Sequence, residues 1–222
     1  MLKHPEFMTT SVSMLPKSAV LQADALCFAY AESPANRLFD GLSVTLLPGV
    51  TLLTGDESCG KTSLIKLLAG TLPATGELHI EGVSLAQDRS AYQRQVAWLD
   101  PLDTALNAQT ARQIFTAQAL SHTGWEAAAL QAHIEGLSLT PHLDKTLDML
   151  STGSRRKVLL AATLAAGCAV TLLDQPFMAL DRPSIDYLAG VLRAAATQAD
   201  RAYLVADYEA PYKVPLAAVI RL

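Results

Sequence analysis

A chain of 222 residues can bury one sizeable core, as a single large domain or as two small lobes. Hydrophobic residues make up 50% and charged ones 17%, which excludes general disorder. The net charge of −4 gives no electrostatic reason to expect a nucleic-acid binder.

Met1 to Lys17 lacks the apolar central segment of a signal peptide, and Met8 and Met14 offer later starts. Residues 1–18 are expected to form a poorly ordered tail. Alternation from Val20 to Phe28 predicts a strand, and Leu42 to Leu47 predicts a second. Pro48-Gly49 then turns the chain into a third apolar run, Val50-Thr51-Leu52-Leu53. That run feeds Gly55-Asp56-Glu57-Ser58-Cys59-Gly60-Lys61-Thr62, which reads G-x-x-x-x-G-K-[ST]. Ser63 to Ala69 follows with a helical pattern that Gly70 stops. Strand, glycine loop and helix together are what a phosphate cradle needs. Glycines let the backbone approach, and the helix N-terminus favours negative charge. Lys61 is placed to reach the β- and γ-phosphates, and the Thr62 hydroxyl to ligate Mg²⁺.

Further on, Gly76 to Gly82 and Gln95 to Leu99 predict two more strands. From Thr104 to about Leu147 the pattern is helical and alanine-rich, with breaks near Ser121–Gly124, Gly136 and Pro141. A helix from Ser154 to near Gly167 and a buried strand from Ala169 to Leu173 divide the longest apolar stretch, Val158 to Leu173. That stretch is too short and interrupted for a bilayer span of about 20 residues, so a soluble chain is expected. A helix over Pro183–Gln198 and strands at Ala202–Ala206 and Leu216–Ile220 complete the layout. The fold class is α/β, with an all-helical insertion. Val170-Thr171-Leu172-Leu173-Asp174 ends a buried strand in an acid, which suits a magnesium carboxylate opposite the phosphate loop.

Three cysteines, Cys27, Cys59 and Cys168, with no C-x-x-C spacing, suggest a reducing compartment and no zinc site. Cys59 reads as a small residue tolerated inside the loop. The five histidines show no ligand spacing. Arg155-Arg156-Lys157 reads as a solvated helix face rather than a nucleic-acid run.

Four features together resemble the ATP-binding cassette (ABC) family of ATPases, over residues from about 20 to 209. Leu150-Ser151-Thr152-Gly153-Ser154-Arg155-Arg156-Lys157-Val158 resembles the L-S-G-G-Q signature and its basic helix. Asp174-Gln175-Pro176-Phe177 resembles D-E-P-[TF], and Ala179-Leu180-Asp181 matches the loop beyond it. The helical insertion sits where the family places its helical lobe. Leu38 to Ser43 and Pro176 to Asp181 look most like short, single-cassette exporter ATPases, of which the haem-exporter subunit of cytochrome c maturation is one relative.

The resemblance implies a P-loop nucleotide hydrolase (RecA-like) core with an antiparallel β subdomain. An all-helical lobe at about 101–157 would be inserted in one ATP-binding domain over 19–222. It implies ATP and Mg²⁺ as cofactors. The nucleotide would be held by Gly55, Asp56, Glu57, Ser58, Cys59, Gly60, Lys61, Thr62 and Ser63, the metal by Thr62 and Asp174. Two cassettes, identical or different, would pair head to tail, so that Ser151 and Gly153 meet the γ-phosphate of the opposing chain's ATP. Tyr30 matches the aromatic that stacks on adenine; the competing reading is an ordinary strand-end tyrosine. The implied partners are a second cassette and a transmembrane permease, with no nucleic acid. The implied location is cytoplasmic, peripheral to the inner face of the membrane. A soluble ABC switch protein without a permease and a P-loop kinase are the alternatives, although a kinase has no use for Leu150–Val158 or Ala179–Asp181.

Departures from the family cluster at the catalytic end. Gln175 stands where the family has the glutamate that polarises the attacking water; glutamine can hydrogen-bond that water but cannot accept its proton. Asp207 falls where a histidine touches the γ-phosphate. Asp100 and Pro101 occupy the region of the glutamine that couples magnesium to the helical lobe, and Thr152 and Ser154 weaken the signature. The binding groups remain while three groups acting on the γ-phosphate or its water are replaced. Weak or absent intrinsic hydrolysis is therefore expected, with Gln175 and Asp207 as the substituted catalytic positions.

Overall fold

The chain is described by a computed structural model over residues 18–32 and 34–222. The expected tail, but for Ser18, lies outside the described residues. Two sheets organise the rest. The first is antiparallel in the order β2 (Phe39–Leu46), β1 (Leu21–Phe28), β4 (Thr75–Ile80) and β5 (Val83–Ser84). One face of β1 is buried and the other is largely exposed, which is why its sequence alternates. The second sheet is parallel in the order β6 (Val96–Ala97), β7 (Val170–Asp174), β8 (Ala202–Ala206), β3 (Gly49–Thr54) and β9 (Ala218–Arg221).

The central strands of the parallel sheet read as unbroken apolar runs because both faces are covered. Leu53, Leu172 and Leu204 pack with α1 (Lys61–Leu68) and the antiparallel sheet in one core. Val50, Leu173, Tyr203 and Val205 point the other way, into a core shared with the helices. Those helices are α3 (Ala111–Ser121), α4 (Ala127–Gly136), α5 (Thr152–Leu164) and α6 (Arg182–Ala195). On α6, Leu188, Leu192 and Ala195 recur at helical spacing and are buried, while Asp181 caps the first turn by accepting from the Ser184 N–H at 3.0 Å. A capping box of Thr110 and Gln113 starts α3.

Some boundaries differ from the sequence reading. Strand β2 opens at Phe39, three residues before the expected Leu42, because Phe28 pairs with Phe39 across a register shift that absorbs Gly41. Helix α5 starts at Thr152 rather than Ser154, since Ser151 caps it and accepts from the Ser154 N–H at 3.1 Å. The short helix α2 (Arg89–Arg94) and strand β5 were not anticipated. Helix α2 is mostly polar, started by an Asp88 cap and held by Tyr92, whose buried hydroxyl donates to the Leu68 carbonyl at 2.8 Å. That anchor lies in tertiary contact and has no local pattern.

The basic run after the signature is a correction. Arg156 and Lys157 are each only 9% exposed, so they do not form a solvated face. Lys157 donates to Asp181 at 2.8 Å, and with Ser184 it holds that carboxyl down at about 2. Helix α5 is thereby tied to the loop before α6. Gly153 fits the same junction: a Cβ there would run into the Ala179 carbonyl oxygen.

Candidate nucleotide-binding site

Parallel strands point their C-terminal ends to one edge, and loops there gather side chains from distant parts of the chain. Register aligns Leu53 with Ala206 and Ala206 with Asp174. The glycine loop after β3, Asp174 at the end of β7 and Asp207 after β8 therefore emerge together. Between β3 and α1, Ser58 has φ 62° and Gly60 φ 104°. Left-handed residues at such spacing curl the backbone into a concave nest that presents N–H groups to an anion. A side chain at Gly60 would be strained by that backbone and tightly placed, with a Cβ 3.0 Å from the Phe39 ring and 3.1 Å from Leu38.

Lys61, 7% exposed, donates to the carbonyl oxygens of Gly55 at 2.8 Å and Asp56 at 2.7 Å. Its ammonium lies 4.6 Å from the centre of the Tyr208 ring. The Thr62 hydroxyl donates to Asp174 Oδ2 at 2.7 Å, bringing residues 112 positions apart onto one point. Burial pushes the Asp174 carboxyl up from its ordinary value; the Thr62 hydrogen bond and the charges of Arg156 and Lys61 oppose that shift, and Asp100 adds to it. An open cleft of about 390 Å³ runs along these groups, lined also by Tyr30, Glu57, Ser63, Gln175 and Tyr208.

The hydroxyl and carboxylate pair fits a magnesium ion. Mg²⁺ prefers hard oxygen ligands and is held by one or two protein groups plus substrate phosphates. Among the described residues no group of three or more histidine, cysteine or acidic side chains is placed to hold a metal ion.

Tyr30 stands at the mouth of the cleft, 45% exposed, with its hydroxyl 2.6 Å from Ser63 Oγ and its ring edge-on to Phe28. Gln175 has φ 44°, donates its N–H to the Ala206 carbonyl at 2.9 Å and reaches the cleft wall. Asp207 does not line this cleft; it lines a neighbouring groove against α6. Burial pushes its carboxyl up as well, with the charges of Asp174 and Glu209 adding to the shift and the Tyr208 N–H and the Lys61 charge opposing it. Asp100 pairs with Lys66 of α1 at 2.9 Å. Ser151 and Gly153 sit at the start of α5, outside the cleft, where Ser151 is a helix cap. Cys59 is a free thiol whose sulfur accepts weakly from Lys61 at 3.7 Å.

Two residues escaped the sequence reading. Arg156 donates from Nη1 to the carbonyls of Asp174 at 3.0 Å and Gln175 at 2.7 Å, clamping the strand end that carries both site residues. Its signal was available: from Arg156 onward α5 is buried on every side, as an apolar run through Leu164 foretells. Tyr208 had no such signal, lying one residue past a strand in a polar loop. Exchanging Arg156 for methionine leaves both carbonyls without that donor and is expected to lower unfolding stability by about 1–3 kcal/mol. Urea denaturation midpoints measure this, and an unchanged midpoint would show the clamp to be dispensable.

The family profile described as ABC transporter matches residues 39–178. The cytochrome c biogenesis ATP-binding export protein CcmA of Pseudomonas syringae pv. syringae (strain B728a) is 31% identical over 179 residues, covering 79% of this chain and 82% of that protein. The protein of the same name from Aromatoleum aromaticum (strain DSM 19018 / LMG 30748 / EbN1) is 32% identical over 183 residues, covering 80% and 85%. A solved structure described as the ATP binding subunit of an ABC transporter matches with a TM-score of 0.76 at 20% identity, over 85% of this chain and 79% of that one. At that identity the likeness speaks for the fold alone.

Proposed function

This chain belongs to the ABC transporter family, as an ATP-binding subunit, and on that premise we propose that it binds Mg-ATP between two cassettes to drive a separate exporter permease, with slow hydrolysis of its own. The meeting of Thr62 and Asp174 beside the Lys61 loop carries the proposal. Lys61 and the loop amides hold the phosphates, and Tyr30 offers its ring to the base. Thr62 and Asp174 hold the metal, which when bound neutralises charge on the transferring phosphoryl group. Ser151 and Gly153, at the start of α5, close on the nucleotide of the opposing cassette. Gln175 orients water without taking its proton, and Asp207 supplies no imidazole; together these substitutions slow turnover.

No helix among the described residues is long and apolar enough to cross a membrane. A permease supplies the transport path and selects the transported substrate, with this chain seated on its cytoplasmic face. The relatives named for cytochrome c biogenesis export support an exporter. The test is co-expression with an adjacent permease, followed by fractionation and an ATPase assay. Expected are saturable Mg-ATP binding, membrane recruitment only with the permease, and turnover of the pure chain below about 1 s⁻¹. Turnover well inside the ordinary range of about 1–100 s⁻¹, or failure of the permease to recruit the chain, contradicts the corresponding part.

A further inference from the structure

The guanidinium of Arg156, on α5, stands behind the strand end that carries Asp174. Only 9% of the residue is exposed, and a long cation is almost never so buried unless it is paired. Its partners are backbone oxygens: Nη1 donates to the carbonyls of Asp174 at 3.0 Å and Gln175 at 2.7 Å, and Nη2 lies 3.7 Å from the Met178 sulfur. Burial works against the cation there, and the charges of Asp174 and Asp207 support it. Gln175 is left-handed, φ 44°, a backbone that a residue other than glycine keeps only where its surroundings enforce it. Ala206 fixes its N–H from β8, while Arg156 and the Met178 N–H fix its carbonyl. Rotating the peptide after Asp174 would turn away the carboxylate that meets Thr62 at 2.7 Å, and with it the Gln175 side chain on the cleft wall. Lys157, the next residue of α5, is equally buried but bonds Asp181 in the loop before α6 instead.

We propose that Arg156 is a positioning residue for the metal: by holding two consecutive carbonyls after β7 it keeps Asp174 and Gln175 presented to the cleft, and so sets how strongly magnesium tightens nucleotide binding. It acts through the backbone. One nitrogen bonded to both carbonyls leaves the peptide between them little freedom to rotate. The inference rests on the Mg-ATP reading of the same cleft and adds a residue that the cleft lining does not include. Groups that hold a metal ligand in place typically change metal affinity by about 10–100-fold when removed.

The experiment is calorimetric titration of the full chain with a non-hydrolysable ATP analogue, once with excess magnesium and once with EDTA, below the melting point of every variant. The ratio of the two affinities is the magnesium enhancement. Arg156→Met is expected to lower that enhancement by about tenfold or more and to leave metal-free affinity within about twofold, because Lys61 and the loop amides are untouched. Arg156→Gln, shorter and uncharged, stands in with the same thresholds where the methionine variant does not fold. Lys157→Met removes the other buried cation of α5 and is expected to leave the enhancement within about twofold, although it too loosens the helix. A fall of less than about threefold in the Arg156 variant overturns the inference, as does an equal loss with and without magnesium. A fall as large in Lys157→Met overturns it too, since general loosening of α5 would then explain the effect. A wild-type chain that binds the analogue no better with magnesium refutes the inference and leaves nucleotide binding intact. A wild-type chain that binds it under neither condition refutes the underlying reading, and this inference with it.

Discussion

Replacing Gln175 with glutamate is expected to raise steady-state ATP turnover by at least about tenfold, since a positioned general base contributes roughly 10²–10⁴-fold. The substitution should act on chemistry alone. Backbone hydrogen bonds to Ala206 and from Arg156 hold Gln175 at both its N–H and its carbonyl, and its left-handed backbone suits either side chain equally. Glutamate has the shape of glutamine, so the loop has no reason to move. The new carboxylate would stand beside Asp174, whose own carboxyl is already pushed up by burial. Burial and mutual repulsion both oppose ionisation, so the gain should shrink toward acidic pH, as the carboxyl groups protonate, and grow toward basic pH. Phosphate release, measured against pH with Lys61→Ala in the same background to remove contaminating activity, checks the expectation. A rate within twofold of the parent at every pH would show that the missing base does not limit turnover.

Replacing Lys61 with alanine should weaken ATP by about a hundredfold or more. Hydrogen bonds from a charged donor to phosphate are worth about 1.5–3 kcal/mol each, and loss of two corresponds to at least that factor. The side chain is nearly buried, yet its ammonium bonds two carbonyls and, weakly, the Cys59 sulfur of its own loop, beside the half-exposed Tyr208 ring, and the cleft can hydrate these groups once it is gone. Stability should therefore fall little while affinity collapses. Titration calorimetry beside a thermal melt separates the two. Undiminished affinity in a well-folded Lys61→Ala chain would place the phosphates elsewhere.

These expectations draw on different levels of the molecule. The glycine loop, its lysine and its threonine were legible as a string, because a phosphate nest is built from adjacent backbone groups and needs little beyond the right residues in order. Asp174 was legible for a related reason: a fully apolar run ending in an acid announces a buried strand whose tip reaches the sheet edge. Strand β5 and helix α2 were not, since one is two residues long and the other is a polar turn held by the single buried hydroxyl of Tyr92. The basic run was misjudged on the same ground. A helix buried all round by two neighbouring layers can hold Arg156 and Lys157 only because backbone carbonyls and Asp181 receive their charge, and those partners lie 18 to 24 residues away.

The amino-acid order by itself determined the α/β alternation, the family resemblance and the residues of the glycine loop. Each depends on periodicity or spacing within a few turns of chain. Tertiary structure alone decided which side chains share the cleft. Asp207 and Tyr208 are neighbours in sequence and both line the groove beside α6, yet only Tyr208 also lines the cleft, with its ring against Lys61. Which of the two meets the cleft depends on how β8 lies beside β3 in the sheet, a pairing between residues some 150 positions apart that no local pattern encodes.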